Sequence, residues 1–453
     1  MPFKPLYLNS LSKVDILRIL ARPHDNGEVE DVVERAEFPL VLLKKASTLS
    51  GLPEHVRNCS KPCVMPPVSY LLFPFTSQSP NIPQRLQKLS SDMVLTGLKL
   101  GTHTLMKKYG REMTHRLYAA SLESIEIVGQ IVKEENIECD YARTGHLEVA
   151  CKPAHFRDFA KSAEVIAREF NRQVRVVPKN ELHEEIGSDI YYGGLVDEAS
   201  VGVNPARYVA GLARAAQKAG AEIHEQTRVK RLQPESNDGS KGFRVTTSRG
   251  SLWARDVFVA TSGYTGAATP ALRKKIIPIG SYIIVTEVLP ADLAREVSPR
   301  DRMIYDSKNF LYYYRLTPDR RMLFGGRAAF FPESGDTIRR SAEILRRGMV
   351  SVYPQLQNAK VEYAWGGTLD FSFDIMPHAG QIDGMHFALG YAGHGVAMAT
   401  YLGTKMAGMI SGDKVENPFA EVPFPGAPMG LYNGSPWFLP FAGLWYRFLD
   451  VVS

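Results

Sequence analysis

The sequence predicts an α/β fold in which two domains are interleaved. Three observations carry this expectation. Helix and strand patterns alternate on either side of a β-rich middle, Ile276 to Phe330. The strand "MHFALGY" runs through glycines into a helix at "GHGVAMATYLGTKMAGMISG", ending at Gly412. A chain of 453 residues is long enough for one to three domains with a large core.

Each element has its own signal. From Thr102 to Glu135 apolar residues recur three and four apart, the period of an amphipathic helix. "GHLEVAC", Gly145 to Cys151, alternates like a strand, and "PAHFRDFAKSAEVIAREFN" opens a second helix with Pro153. Asn204 is placed to cap a third helix, Pro205 suits its first position, and Gly220 lies just past its end. Strands follow in "AEIHEQTRVKRLQ", "FRVTTS" and "SLWARDVFVATSG". The β-rich middle holds "IIPIGSYIIVTEVL", "MIYDSKNFLYYYRLT" and "RMLFGGRAAF"; "IRRSAEILRRGMVSVYP" then reads as a helix.

Composition excludes several classes. Hydrophobic residues make up 44% and charged residues 23%, the balance of an ordinary globular chain. The net charge of +6 is spread along the sequence, so no nucleic-acid partner is expected. No apolar run reaches the ~18 residues of a membrane span, and the start of the chain lacks the apolar core of a signal peptide. Four cysteines are too few for a disulfide scaffold, which points to a reducing, cytoplasmic setting. Cys59 and Cys63 have a metal-like spacing, but no second Cys/His pair accompanies them, and no metal is expected. The aromatic segment from Asn433 to Ser453 is read as a tail packed on the body.

The glycine loop before the last long helix suggests chemistry. Gly393 and Gly395 leave no side chain between the backbone and whatever approaches it. The helix that follows presents free N–H groups and the positive end of its dipole, a setting that favours negative charge. A plain tight turn would look the same.

Three segments give the loop a context. "VFVATSGYTG" (Val257 to Gly266), "WGGTLDFSFDIMPHAG" (Trp365 to Gly380) and "GYAGHGVAMATYLGTKMAGMISG" (Gly390 to Gly412) stand in order, with "TRVKRL" and "GLKLG" matching as well. On these, residues 93 to 453 resemble the FAD-dependent oxidoreductases of the D-amino-acid oxidase superfamily, and within it the gamma-glutamylputrescine oxidase group. The resemblance implies a Rossmann-like FAD-binding domain of the glutathione-reductase type, made of 1–140, 200–275 and 365–412. An α+β substrate domain with an antiparallel sheet takes 141–199 and 276–364, and 413–453 forms the tail. It also implies that an amine gives a hydride to flavin N5. The imine then hydrolyses to an aldehyde, and dioxygen or another electron acceptor takes the electrons.

Site residues follow from the same resemblance. Gly393, His394, Gly395 and Val396 fall at the isoalloxazine edge, with Gly390 and Ala397 in the same cofactor-binding stretch. Val229 resembles an adenine contact; Ala260, Thr261 and Gly263 resemble the contact beneath the ribityl and phosphate part. On the substrate side the candidates are Tyr314, Arg315, Trp365 and His394. In a strand Tyr312 and Tyr314 share one face while Tyr313 and Arg315 share the other, and either face can line the cavity or pack in the core. Trp365 either flanks the flavin or fills the core. His378 reads as a hydrogen-bonded structural histidine. Arg315 and Arg327 keep open a second substrate class, a free amino acid whose carboxylate needs an arginine.

One part of the family pattern is missing. FAD proteins of this kind begin with a strand, a G-x-G-x-x-G turn and a helix that cradles the pyrophosphate. Here "EVEDVV" leads instead into 34–92, which is rich in Pro, Ser and Cys and holds Gly51 as its single glycine. Abrupt loss and return of similarity over this stretch fits a shifted reading frame or a mis-assigned exon; the alternatives are a true variant that lost FAD and a chain that binds the nucleotide in an unfamiliar way. The sequence alone leads one to expect a sheet without its central strand and a chain that is flavin-free or poorly soluble.

Overall fold

The computed structural model describes residues 92–237, 239–326, 335–439, 441 and 443, and the backbone of 40–43 and 69–72. Two large sheets organise the molecule. The first has six strands in the order His378–Ile382, Met385–Leu389, Asp256–Val259, Ser69–Leu72, Leu40–Leu43 and Ala221–His224. Asp256–Val259 runs parallel to both of its neighbours. Its Val257, Phe258 and Val259 are all buried, the continuous apolar run of a strand covered on both faces. The helices Thr102–Glu134 and Gly395–Ser411 supply one cover, where Leu105, Leu117, Met398, Tyr401 and Leu402 meet Phe258. A three-stranded meander, Val229–Asn237, Ser240–Thr247 and Ser251–Ala254, supplies the other.

The centre of this sheet corrects one expectation. It is not missing: Ser69–Leu72 lies parallel to Asp256–Val259 and fills it. Leu40–Leu43 pairs with Ser69–Leu72 antiparallel, however, so the two are not the parallel strands of a βαβ unit. The rest of 34–91 lies outside the described residues, Cys59 and Cys63 with it, as does Arg327.

The second sheet has eight strands, in the order Val361–Ser372, Ile276–Val288, Arg321–Gly326, Tyr312–Leu316, Met303–Asp306, His146–Val149, Gly193–Asp197 and Arg175–Pro178. All neighbours are antiparallel except Met303–Asp306 with His146–Val149. The helix Gly335–Val352 covers one face through Ile338, Ala342, Leu345 and Met349, against Leu147, Tyr282, Ile284, Ile304, Tyr314 and Ala364. The strand Val361–Ser372 pairs with Ile276–Val288 from Val361 to Ser372. The expected domain boundary at residue 365 therefore falls inside a strand of this sheet.

Local signals explain the helices. Asn204 accepts a hydrogen bond from the Arg207 backbone N–H at 3.2 Å, capping Pro205–Lys218. The helix at 102 is not continuous: Gly110 has φ +80° and ψ 169°, which breaks it one turn past Met106. The C-terminal segment packs as far as residue 439, burying Phe419, Tyr432 and Leu439, and the Tyr432 hydroxyl donates to the Ile276 carbonyl at 2.8 Å. Trp437 and Phe441 stay exposed. Among the described residues no helix is long and apolar enough to cross a membrane.

Candidate active site

A cavity of about 520 Å³ lies against the eight-stranded sheet. Its walls follow from strand alternation. In the eight-stranded sheet, Ser281, Ile283, Tyr305, Tyr313, Trp365, His146 and Glu148 point into it. Their chain neighbours Tyr282, Ile284, Ile304, Tyr314, Ala364 and Leu147 point the other way, into the core beneath the helix Gly335–Val352. The opposite wall comes from Met93 to Leu105, and from Ala392, Gly393 and His394.

The glycine loop is built by Asp370. Its two carboxylate oxygens accept from the Gly390 N–H at 2.6 Å and the Tyr391 N–H at 3.2 Å, and its backbone carbonyl accepts from the Ala392 N–H at 2.9 Å. Asp370 is buried, and burial raises its pKa to about 6 against the opposing pull of these hydrogen bonds. Gly390 sits at φ +87°, and a Cβ there would lie 2.9 Å from the Met376 carbonyl oxygen, so packing alone demands glycine.

The next two glycines differ. A Cβ at Gly393 or Gly395 would meet nothing within 4 Å. His394 stands at the N-cap of Gly395–Ser411 but makes no side-chain capping bond, and its Nδ1 has no hydrogen-bond partner among the described residues. Burial, with Lys99 and His146 nearby, lowers its pKa to about 4, so the ring is neutral at physiological pH. The helix Thr102–Glu134 also begins at this cavity, at Gly101, without a side-chain cap. Two helix starts thus bring unsatisfied N–H groups to one space.

The facing wall carries a hydrogen-bonded line of side chains. Glu148 Oε2 lies 3.4 Å from the Tyr305 hydroxyl, which lies 3.4 Å from His146 Nε2. His146 Nδ1 is 2.8 Å from Ser200 Oγ, and Ser200 Oγ accepts from the Thr96 N–H at 3.1 Å. Burial pushes Glu148 up to about 7 and His146 down to about 4. Sequence reasoning missed both. The signal was there, because alternation in "GHLEVAC" puts His146 and Glu148 on one strand face, but no spacing links that strand to Tyr305 or His394.

The residues expected at the site divide. Trp365, Gly393 and His394 line the cavity. Val396 and Ala397 face the opposite way, into a cluster with Val94, Ile125 and Val201. Gly263 presses against the backbone of Thr368 and Leu369, where a Cβ would come within 2.8 Å of both carbonyl oxygens. Ala260 is buried at the end of its strand, Thr261 Oγ1 contacts Thr265 Oγ1 at 2.8 Å, and Val229 packs beside the meander core; none of the three lines the cavity. His378 is fully buried, with Nε2 2.8 Å from Asp374 Oδ1 and its ring stacked on Phe424.

Tyr314 and Arg315 are corrections. Tyr314 is fully buried on the core face, stacked on Phe324, and its hydroxyl donates to the Tyr191 hydroxyl at 2.8 Å. Arg315 is buried over Gly202, where its guanidinium occupies the space of a Cβ, and Nε donates to the Leu316 carbonyl. Burial lowers its pKa to about 10, which leaves it cationic at neutral pH. Tyr313 is the tyrosine of this strand that lines the cavity. Replacing Tyr314→Phe therefore removes one buried hydrogen bond and is expected to cost about 1 kcal/mol in urea melts while leaving KM unchanged. A several-fold change in KM would put Tyr314 back in the site.

Comparison with known proteins places this geometry. A family model described as FAD dependent oxidoreductase (DAO) matches residues 89–409. The chain belongs to this FAD-dependent oxidoreductase family. Among curated relatives, the probable oxidoreductase OrdL of Haemophilus influenzae is 32% identical over 330 residues, 72% of this chain and 74% of that protein. The gamma-glutamylputrescine oxidoreductase of Escherichia coli K12 is 31% identical over 326 residues, 71% of this chain and 74% of that one. Glycine oxidase from Geobacillus kaustophilus has a similar fold, with a TM-score of 0.61 at 17% identity, over 75% of this chain and 88% of its own. Membership makes the chain an enzyme with FAD as its cofactor.

The residues present fit one half of that cofactor. Open Cβ positions at Gly393 and Gly395, the unpartnered His394 Nδ1 and two uncapped helix starts suit a flat, polar-edged ring system. The pyrophosphate half has no such match in the sequence, which contains no G-x-G-x-x-G. The strands Leu40–Leu43 and Ser69–Leu72 include no glycine at all.

Proposed function

We propose that this family member oxidises a small amine, leaving an imine that water hydrolyses to an aldehyde. One observation carries the reading: the cavity joins the open glycine loop to an aromatic wall, and no arginine is among its described lining residues. A free amino acid substrate needs a fixed, bidentate cation for its carboxylate, and the cation on the cavity wall among the described residues, Lys99, is exposed. Arg315, the described candidate, is held away from the cavity over Gly202. The E. coli relative, named for gamma-glutamylputrescine, supports an amine of that kind.

Bound FAD supplies the hydride acceptor, and dioxygen or another acceptor takes the electrons onward. The chain's own residues do the rest. Trp365, Tyr313 and Phe371 shield the reacting carbon from water. This desolvation favours the neutral amine, the form whose lone pair can drive loss of hydride. The Gly393–Gly395 backbone and the helix start behind it favour negative charge on the ring edge. The low cysteine content supports a cytoplasmic setting.

The test mixes FAD-reconstituted protein with gamma-glutamylputrescine, putrescine, sarcosine and glycine without oxygen and follows flavin bleaching. Gamma-glutamylputrescine or putrescine is expected to exceed glycine and sarcosine at least 100-fold in kcat/KM. Faster reduction by glycine or sarcosine overturns the amine reading.

A further inference from the structure

The line of hydrogen bonds on the cavity wall has a direction. Ser200 Oγ accepts from the Thr96 N–H, so its own hydrogen is free to go to His146 Nδ1. His146 is neutral, so its single ring proton then sits on Nε2 and is donated to the Tyr305 hydroxyl. Burial and the nearby Glu148 hold the Tyr305 phenol well above its usual range, so it keeps its proton and gives it to Glu148 Oε2. Every donor points toward Glu148. The line ends on an acceptor at the cavity surface whose one side-chain bond among the described residues, at 3.4 Å, is long.

Other carboxylates at the cavity are already engaged or lie outward. Asp197 accepts from Arg172 at 2.7 and 3.1 Å, from the Thr96 hydroxyl and from the Ala199 N–H. Asp158 is exposed and paired with Lys161. We propose that Glu148 seats the ammonium group of the substrate and takes its proton before the carbon–hydrogen bond breaks. This rests on the amine reading above. The balance is simple: one N–H bond of the ammonium breaks, one O–H bond forms on Glu148, and the nitrogen regains the lone pair that expels the hydride. His146, Tyr305 and Ser200 are positioning residues.

The charged and titratable groups facing Glu148 come from every side. They are Lys99 before the helix Thr102–Glu134, Tyr305 and Asp306 on the neighbouring strand, His146 on its own strand, Asp197 on the next, Asp158 on the helix Pro153–Phe170, and His394 across the cavity. Asp306 is paired with Lys308 at 3.2 Å. The resulting pKa near 7 makes Glu148 able both to hold a cation and to accept its proton at neutral pH.

The test uses FAD-reconstituted protein and tert-butylammonium, a cation with no hydrogen on the carbon beside nitrogen, titrated by calorimetry at pH 8 and pH 6. Glu148→Gln is expected to raise its Kd at least 10-fold at pH 8, leaving the melting temperature and the flavin spectrum unchanged. Wild-type affinity is expected to fall from pH 8 to pH 6 as Glu148 takes up a proton, and the variant should lose this dependence. With tert-butanol the two proteins should be alike. Should Glu148→Gln fail to fold, Tyr305→Phe replaces it: removing the donor moves the pH midpoint upward by at least half a unit. Binding within twofold of wild type in Glu148→Gln, or an unmoved midpoint in Tyr305→Phe, overturns the proposal. If no amine reduces the flavin yet the cation still binds through Glu148, the oxidation reading fails and the cation seat stands.

Discussion

FAD is expected to bind this chain about 1,000-fold more weakly than it binds a version whose residues 34–92 are replaced by a strand, a G-x-G-x-x-G turn and a helix. The pyrophosphate carries two charges, and a helix start with glycine turns holds it through several charge-assisted N–H bonds. Two or three such bonds at about 1.5–3 kcal/mol each give roughly 4 kcal/mol, a factor of about 1,000. The single glycine of 34–92 cannot supply a G-x-G-x-x-G turn, and Leu40–Leu43 pairs with Ser69–Leu72 antiparallel, not as the parallel strands of a βαβ unit. Equilibrium dialysis of both proteins with FAD measures the ratio. A chain that keeps one tightly bound FAD through gel filtration would refute this. The same view expects another reading frame of the codons for 34–92 to encode the glycine turn, which translation of the gene checks directly.

Asp370→Ala is expected to cost about 3 kcal/mol near pH 7 and to weaken FAD binding at least 10-fold. Two buried N–H groups, of Gly390 and Tyr391, lose their acceptor together. The loop that carries Gly393 and His394 then loses its anchor. The pH dependence has a definite sign. The folded carboxyl titrates near 6, above its ordinary range, so the folded state keeps the proton longer than the unfolded chain. The proton-linked part of its stabilisation is full below about pH 4 and is lost as pH rises through about 6. The penalty for the substitution should therefore be larger at pH 4 than at pH 7, by up to about 3 kcal/mol. Urea melts at the two pH values measure it; an equal or smaller penalty at pH 4 would show that Asp370 is not the buried, proton-holding group.

Much of the architecture was legible because its signals are local. Asn204, Pro205 and Gly220 bracket a helix, and the glycine loop before Val396 announces a strand-to-helix turn. Alternation in "YYYRL" correctly separated Tyr313 from Tyr314, but both faces of that sheet are covered and both carry aromatics. Which face met the cavity therefore depended on the helix Gly335–Val352 far along the chain. Glu148, Tyr305 and His394 come from three separated segments, and only sheet register brings the first two side by side. Asp370 escaped notice for the same reason: its partners are backbone groups twenty residues away. The continuous helix expected from 102 was wrong at Gly110, where periodicity ran on through a break in the backbone.

The strand Val361–Ser372 has a mechanical meaning beyond its place in the sheet. Trp365 lies on the cavity wall, and Asp370, five residues along the same rod, grips the glycine loop. Pressure on the amine wall and the fit of the ring system are therefore not separate matters. An occupant that settled against Trp365 would press on the same strand whose Asp370 anchors the loop carrying Gly393 and His394. Any such bias is thermodynamically reciprocal: the factor by which the amine tightens the flavin is the factor by which the flavin tightens the amine.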